Sequence, residues 1–286
     1  MKANVKCMSC ILSSKEKAIQ SLPDEELKSA CMHEILGVLY EYGQEKSSPY
    51  LASKVNRVVG KYLPEDKDYA FIKHKFNRIM LEQEDIIEGE LRSSKDPLYK
   101  CISYVCAGNY IDFGAMEVVR EDIMQNILER AKNERVSKEV YESFLKDLEQ
   151  ARTLTYLTDN CGEIVLDKLF IKLIKERYKN LKITVILRGK DVINDATMED
   201  AEEVGLTGFV TCIGNGSDMP GTVLEEISEE AREYILGADV IISKGQGNFE
   251  SLAGCGLHPY FLFLCKCSLF TERFGLERFS SVFMKE

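Results

Sequence analysis

The stretch Thr153-Leu154-Thr155-Tyr156-Leu157-Thr158-Asp159-Asn160-Cys161-Gly162-Glu163 decides how this chain is read. Thr153 to Thr158 is a short β-rich run, and two polar side chains follow it. Gly162 then opens a segment with Leu166, Leu169, Phe170 and Leu173 on one helical face. Downstream the alternation repeats, with β-rich runs at Lys182 to Leu187, Gly208 to Ile213, Asp239 to Ser243 and Tyr260 to Leu264. A further helix is expected over roughly Val223 to Leu236. Strands that alternate with helices predict a parallel sheet, because parallel neighbours need a crossover connection.

Parallel strands release their loops at one edge, where open α/β sheets bind ligands. Four loops follow β-rich runs here. They read Asp159-Asn160-Cys161-Gly162-Glu163, Asn194-Asp195-Ala196-Thr197, Gly214-Asn215-Gly216-Ser217-Asp218 and Lys244-Gly245-Gln246-Gly247-Asn248. Asp159 beside Asn160 offers hard oxygen donors suited to a divalent cation, or either residue simply caps the helix. Asp195 supplies a second acid in a turn-rich segment. Two ionised carboxylates about 4 Å apart repel by roughly 4 kcal/mol at an effective dielectric near 20, a penalty that a cation between them removes. Arg188 and Lys190 are surface charges or anchors for an acidic ligand. The glycines near 214 and 245 allow close backbone approach and anion-binding N–H groups, although no nucleotide phosphate-loop signature is present. Lys244 directly after the apolar run Val240-Ile241-Ile242-Ser243 is oddly placed for a solvated charge, and is read as facing a phosphate.

Residues 1 to about 150 read as helices. Stripes recur at Leu27, Cys31, Ile35, Leu39 and Tyr42, at Leu51, Val55, Val59 and Tyr62, at Met116, Val119, Ile123 and Ile127, and at Val140, Phe144 and Leu148. Asp96-Pro97 marks a helix start. The expected division is therefore a helical region, 1 to 150, and an α/β region, 151 to 286. No proline- or glycine-rich linker separates them.

Composition narrows the function. With 47 acidic against 37 basic residues, the net charge of -10 disfavours nucleic acid and anionic lipid as partners. No apolar run approaches the roughly 20 residues that span a bilayer, and the N-terminus lacks a signal-peptide core, so a cytoplasmic protein is expected. Its ten cysteines are read as thiols, with Cys101, Cys106 and Cys212 filling small buried positions. Cys7 and Cys10 form a lone CxxC, for which Cys31 and His33 are the nearby candidates to complete a zinc site, and the pair is read in preference as structural or incidental thiols. Three histidines disfavour a His-rich zinc site.

In their order along the chain, these motifs resemble the damage-control phosphatase family, first catalogued as a domain of unknown function. The resemblance runs through Cys7-x-x-Cys10, Asp96-Pro97, Ala107-Gly108-Asn109-Tyr110-Ile111-Asp112, Asp159-Asn160-Cys161-Gly162-Glu163, Arg188-Gly189, Ile193-Asn194-Asp195-Ala196-Thr197, Gly214-Asn215-Gly216 and Ser243-Lys244-Gly245-Gln246-Gly247-Asn248-Phe249-Glu250. The N-terminal CxxC is similar to that of the prokaryotic branch. The resemblance implies a helical region packed on a Rossmann-like, three-layer α/β/α domain, a divalent metal (Mg²⁺, Mn²⁺, Co²⁺ or Ni²⁺), and hydrolysis of phosphate monoesters of small metabolites. It carries the metal ligands over to Asp159, Asn160 and Asp195, and the phosphate-side lysine to Lys244. Asp159, Asp195 and Lys244 are then the candidate catalytic groups. The candidate phosphate-binding positions are Asn109, Asp112, Gly162, Glu163, Arg188, Asn215, Gly245 and Asn248. Phe270 to Glu286 departs from the family's expected end, looking more charged and less strand-like. Cys161 stands where aspartyl-phosphate enzymes carry a second Asp, which favours water over Asp159 as the attacking group. Two other readings stay open: an S-adenosylmethionine-dependent carboxyl methyltransferase, and a non-catalytic metal- or nucleotide-binding module.

Overall fold

β1 (Thr153–Leu157) is paired on both sides, with β2 (Lys182–Leu187) and with β4 (Val240–Lys244), in parallel register. The computed structural model describes residues 1–63, 69–110, 129–131, 134 and 136–286. Its sheet has the order β3-β2-β1-β4-β5-β6, with β3 at Thr211–Gly214, β5 at Tyr260–Leu264 and β6 at Ser281–Lys285. The first five strands are parallel and β6 runs antiparallel to β5. The chain winds outward from β1 to β3, then crosses to β4 on the other side of β1. That reversal creates a switch point at the carboxyl ends of β1 and β4.

Side chains alternate along each strand, so the sheet has two apolar faces. Leu154, Tyr156, Ile183, Val185, Ile242, Tyr260 and Leu262 belong to one core cluster. Leu157, Ile186, Ile241, Phe261 and Phe263 belong to the other. The first face is covered by α4 (Tyr69–Leu81), α5 (Glu84–Arg92), α6 (Pro97–Gly108), α7 (Lys138–Gln150) and α8 (Glu163–Arg177). The second is covered by α10 (Glu229–Leu236), α11 (Gln246–Leu252) and α12 (Ser268–Phe274). Short α9 (Met198–Glu203) follows the loop after β2.

The helices α1 (Val5–Ile19), α2 (Glu25–Tyr42) and α3 (Ser48–Tyr62) share a small core of Ile19, Leu22, Cys31, Ile35, Val55, Val58 and Val59. Cys31 and Ile35 are buried as their stripe predicts, whereas Leu27 at its start is exposed. Asp96 does cap α6, its side chain accepting the Tyr99 N–H at 3.1 Å. The expected stripe from Met116 to Ile127 lies outside the described residues.

Three expectations are corrected. The helix placed over Val223 to Leu236 begins only at Glu229, because the Ser228 hydroxyl caps it by accepting the Ala231 N–H at 3.3 Å. Val223 instead packs with Tyr50, Leu51 and Met219. The strand expected over Gly208 to Ile213 is shorter, since Leu206–Gly208 forms a 3₁₀ turn. The charged C-terminal stretch does hold a last strand, β6, whose Val282 and Phe283 are buried on opposite faces.

Candidate metal and phosphate site

The loop after β1 and the loop after β2 are tied together by their backbones. Asn160 and Asp195 form an isolated antiparallel bridge, the Cys161 N–H donates to Asn194 O at 2.7 Å, and the Ala196 N–H donates to Asp159 O at 2.7 Å. These bonds bring the two acids called from sequence into one pocket of charge. The Asp195 carboxylate accepts from Arg188 Nε at 2.5 Å, and Arg188 Nη2 stands 4.0 Å from Asp159 Oδ1. The Asp159 side chain retains 13% exposure, while Asn160, Asp195 and Arg188 are buried. Burial, with Asp195 and Glu163 nearby, pushes the Asp159 carboxyl up to about 7. Burial also raises that of Asp195, against the opposing pull of Arg188. Both acids are thus raised mainly by burial, which the neighbouring cations, Arg188 with Lys266 for Asp159 and Arg188 with Lys73 for Asp195, do not fully offset.

Below them lies a layer of amides and one buried ion cluster. Asp159 Oδ2 accepts from Asn109 Nδ2 at 2.7 Å and from Asn160 Nδ2 at 2.8 Å. The same two amides reach Glu163 Oε2 at 3.0 and 2.9 Å. Glu163 is held in turn by Lys244, which also donates to Asp167 Oδ1 at 2.9 Å. Tyr156 donates to that Asp167 oxygen at 2.6 Å. Burial works against the Lys244 charge, yet Asp167 and Glu163 hold its pKa above the ordinary lysine value. Burial pushes Asp167 up to about 6, opposed by Lys244. Lys244 was read as facing a phosphate. It is fully buried and clamps Glu163 and Asp167, so its link to Asp159 runs through Glu163 and the amides.

Other expectations change in kind. The Gly162 N–H, read as an anion donor, goes to Asn77 Oδ1 at 2.6 Å. The Gly245 N–H goes to Leu262 O at 2.9 Å. Gly245 matters for space: a Cβ there would meet the Asp159 carboxyl carbon at 2.1 Å. Asn248 ties strand ends together, its Nδ2 donating to Thr158 O at 2.9 Å and Lys244 O at 2.7 Å, and its Oδ1 accepting from Thr222 at 2.8 Å. Asn215 Oδ1 accepts the N–H groups of Gly189 and Ser217, both at 2.9 Å. Its Nδ2 is buried without a hydrogen-bond partner, and so is Arg188 Nη2. Asp112 lies outside the described residues.

The sequence reading missed Asn77, Asp167 and Thr222. Asp167 carried a signal, standing one helical turn after Glu163. Asn77 carried a fainter one, a polar residue on the apolar face of Phe76 and Met80. Thr222 carried none. The Cys7 and Cys10 thiols are free, half-buried and exposed respectively. Cys101 and Cys106 are buried, but Cys212 is only half-buried.

Among the described residues no group of three His, Cys, Asp or Glu is placed to hold a metal ion. The donor set read from sequence is two carboxylates and an amide. It fits a hard cation on two observations: the two desolvated carboxyls just described, and Asn160 Oδ1, which accepts one bond from Asn194 Nδ2 at 2.7 Å and keeps a second lone pair.

The family model for the damage-control phosphatase ARMT1-like domain matches residues 3–282. The chain belongs to the damage-control phosphatase family. It is 31% identical over 282 residues to a damage-control phosphatase of Archaeoglobus fulgidus, covering 96% of each chain. It is 28% identical over 273 residues to a damage-control phosphatase of Pyrococcus horikoshii, covering 93% of this chain and 92% of that one. A crystal structure of a DUF89 family protein from Pyrococcus horikoshii superposes with a TM-score of 0.83 at 26% identity, covering 100% of this chain and 99% of the other. Among the described residues no helix is long and apolar enough to cross a membrane.

Proposed function

We propose that this protein is a metal-dependent phosphatase that hydrolyses phosphate monoesters of small metabolites, sugar phosphates or damaged phosphometabolites, in the cytoplasm. The observation that carries the reading is the Asp159/Asp195 pair around buried Arg188 at the switch point of the sheet, with Arg188 Nη2 making no hydrogen bond. The damage-control phosphatase name of the Archaeoglobus and Pyrococcus relatives supports the substrate class.

Asp159, Asn160 and Asp195 would hold Mg²⁺, Mn²⁺, Co²⁺ or Ni²⁺, which supplies Lewis-acid stabilisation of charge on a phosphoryl oxygen. Arg188 Nη2 and Asn215 Nδ2 are buried donors still lacking an acceptor, and they bind the remaining phosphoryl oxygens. Asn109, Asn160 and Glu163 fix the orientation of the Asp159 carboxylate. Lys244 pairs with Glu163 and holds it in place beneath them. In this reading water attacks phosphorus, the ester oxygen leaves with a proton, and inorganic phosphate is released.

The test is release of p-nitrophenol from p-nitrophenyl phosphate in buffers supplemented with each of the four metals. Asp159→Ala should remove the activity, and unchanged turnover would refute the assignment. Calorimetry with S-adenosylmethionine separates the methyltransferase reading, for which heat of binding is required. A binding module would take up metal without releasing phosphate.

A further inference from the structure

The Asp159 loop and the Asp195 loop share, besides their backbone bridge, a side chain from the helical half. Asn77 on α4 is fully buried, with one polar atom engaged on the Asp159 loop and the other on α9, which follows the Asp195 loop. Its Oδ1 accepts the Gly162 N–H at 2.6 Å, two residues beyond Asn160. Its Nδ2 donates to Asp200 Oδ1 at 2.8 Å and to Glu203 Oε2 at 2.7 Å, on the helix that follows Asp195. Asp200 Oδ2 accepts the Thr197 N–H at 2.7 Å and the Thr197 hydroxyl at 2.9 Å, closing the cap that starts α9. One turn earlier on α4, Lys73 Nζ reaches the same Asp200 oxygen at 2.8 Å and Thr197 Oγ1 at 3.0 Å. The α4 face is thus a brace against both loops.

Asparagine is the side chain this geometry asks for. The Asp159 loop offers a donor, the Gly162 N–H, and the helix after the Asp195 loop offers acceptors, Asp200 and Glu203. An amide carries an oxygen and an NH₂ group back to back, whereas a carboxylate lacks the donors and an aliphatic residue lacks both. We propose that Asn77 is a positioning residue that fixes the spacing between the Asp159-Asn160 and Asp195 loops, and thereby the affinity of the site for its divalent cation. This rests on the metal-dependent reading given above. Groups that orient metal ligands from behind change metal affinity or activity about 10- to 100-fold when removed.

The test is isothermal titration of Mn²⁺ into purified full-length protein, with thermal denaturation run in parallel. Asn77→Ala should weaken Mn²⁺ binding by about 10- to 100-fold. Ile35→Ala, a substitution in the separate core of α1 to α3, should lower the melting temperature and leave Mn²⁺ affinity within twofold of wild type. Asn77→Asp should bind Mn²⁺ poorly, because it sets a third carboxylate beside Asp200 and Glu203. Adding Asp200→Asn exchanges donor and acceptor across that contact and should restore affinity to within a few-fold. If Asn77→Ala does not fold, the Asn77→Asp and exchanged variants give the answer. Wild-type affinity in a folded Asn77→Ala or Asn77→Asp protein, or no recovery on exchange, overturns the inference. Absence of Mn²⁺ binding and phosphatase activity in the wild type itself would instead strike the metal-dependent reading.

Discussion

Gly245 shows how one residue can be singled out for a reason that differs from its use. Its sequence context, between Lys244 and Gln246, suggests a backbone donor to phosphate. In the structure its N–H completes pairing with β5, and its bare Cα gives the Asp159 carboxylate room. Its φ of 80° and ψ of 156° also fall where essentially only glycine resides. Gly245→Ala is therefore expected to displace Asp159 and to cost about 1 to 3 kcal/mol of backbone strain. Phosphatase turnover should fall towards the level of Asp159→Ala, with a lower melting temperature. Normal turnover in Gly245→Ala would mean that Asp159 does not need its present position. Lys244 is a related case. A cation after an apolar strand was legible as unusual, but its partners Glu163 and Asp167 lie on a different element, and spacing along the chain could not pair them.

At the scale of elements, α1 to α3 form a small helical unit seated on the loop after β3. Tyr50 and Leu51 of α3 pack with Met219 and Val223, and Arg57 forks onto Asp218, with contacts at 2.6 and 3.2 Å. Asp218 closes the third of the loops that follow β-rich runs. Its carboxylate turns to the helical unit, which also explains why Val223 is packed outside a helix. The Arg57 hydrogen bonds hold the Asp218 carboxyl below its ordinary value, so the bridge stabilises the fold above the unfolded-state pKa, near 4, and its contribution is lost as pH falls through the depressed folded-state value. Arg57→Ala should lower stability at pH 7 by at most about 1 kcal/mol, since Arg57 is half exposed. In urea titrations the gap between Arg57→Ala and wild type should close towards pH 3. A gap that persisted there would show that the guanidinium acts by packing alone.

Over the whole molecule, the change of pattern near residue 150 marks a change of element type, while packing runs across it. Ile102, Val105 and Phe144 share one core with Tyr156, Val185, Ile242 and Leu262. Residues 151–286 alone would expose to water the part of that face that α4 to α7 cover. A fragment of those residues should lose near-ultraviolet dichroism and bind the dye ANS, as loosely packed states do; cooperative unfolding of the fragment would show instead that the α/β region folds unaided. The sequence alone determined the order of the five parallel strands along the chain, the parallel sheet they form, and the loops that carry Asp159, Asn160 and Asp195. Those depend on periodicity and on residues adjacent in the chain. Only the tertiary structure decided that Asn77 braces two loops, that Lys244 is clamped beneath the site, and that Gly245 is there for space. Each of these is a contact between residues far apart in sequence, and hydrogen-bond geometry and excluded volume become defined only once the elements pack.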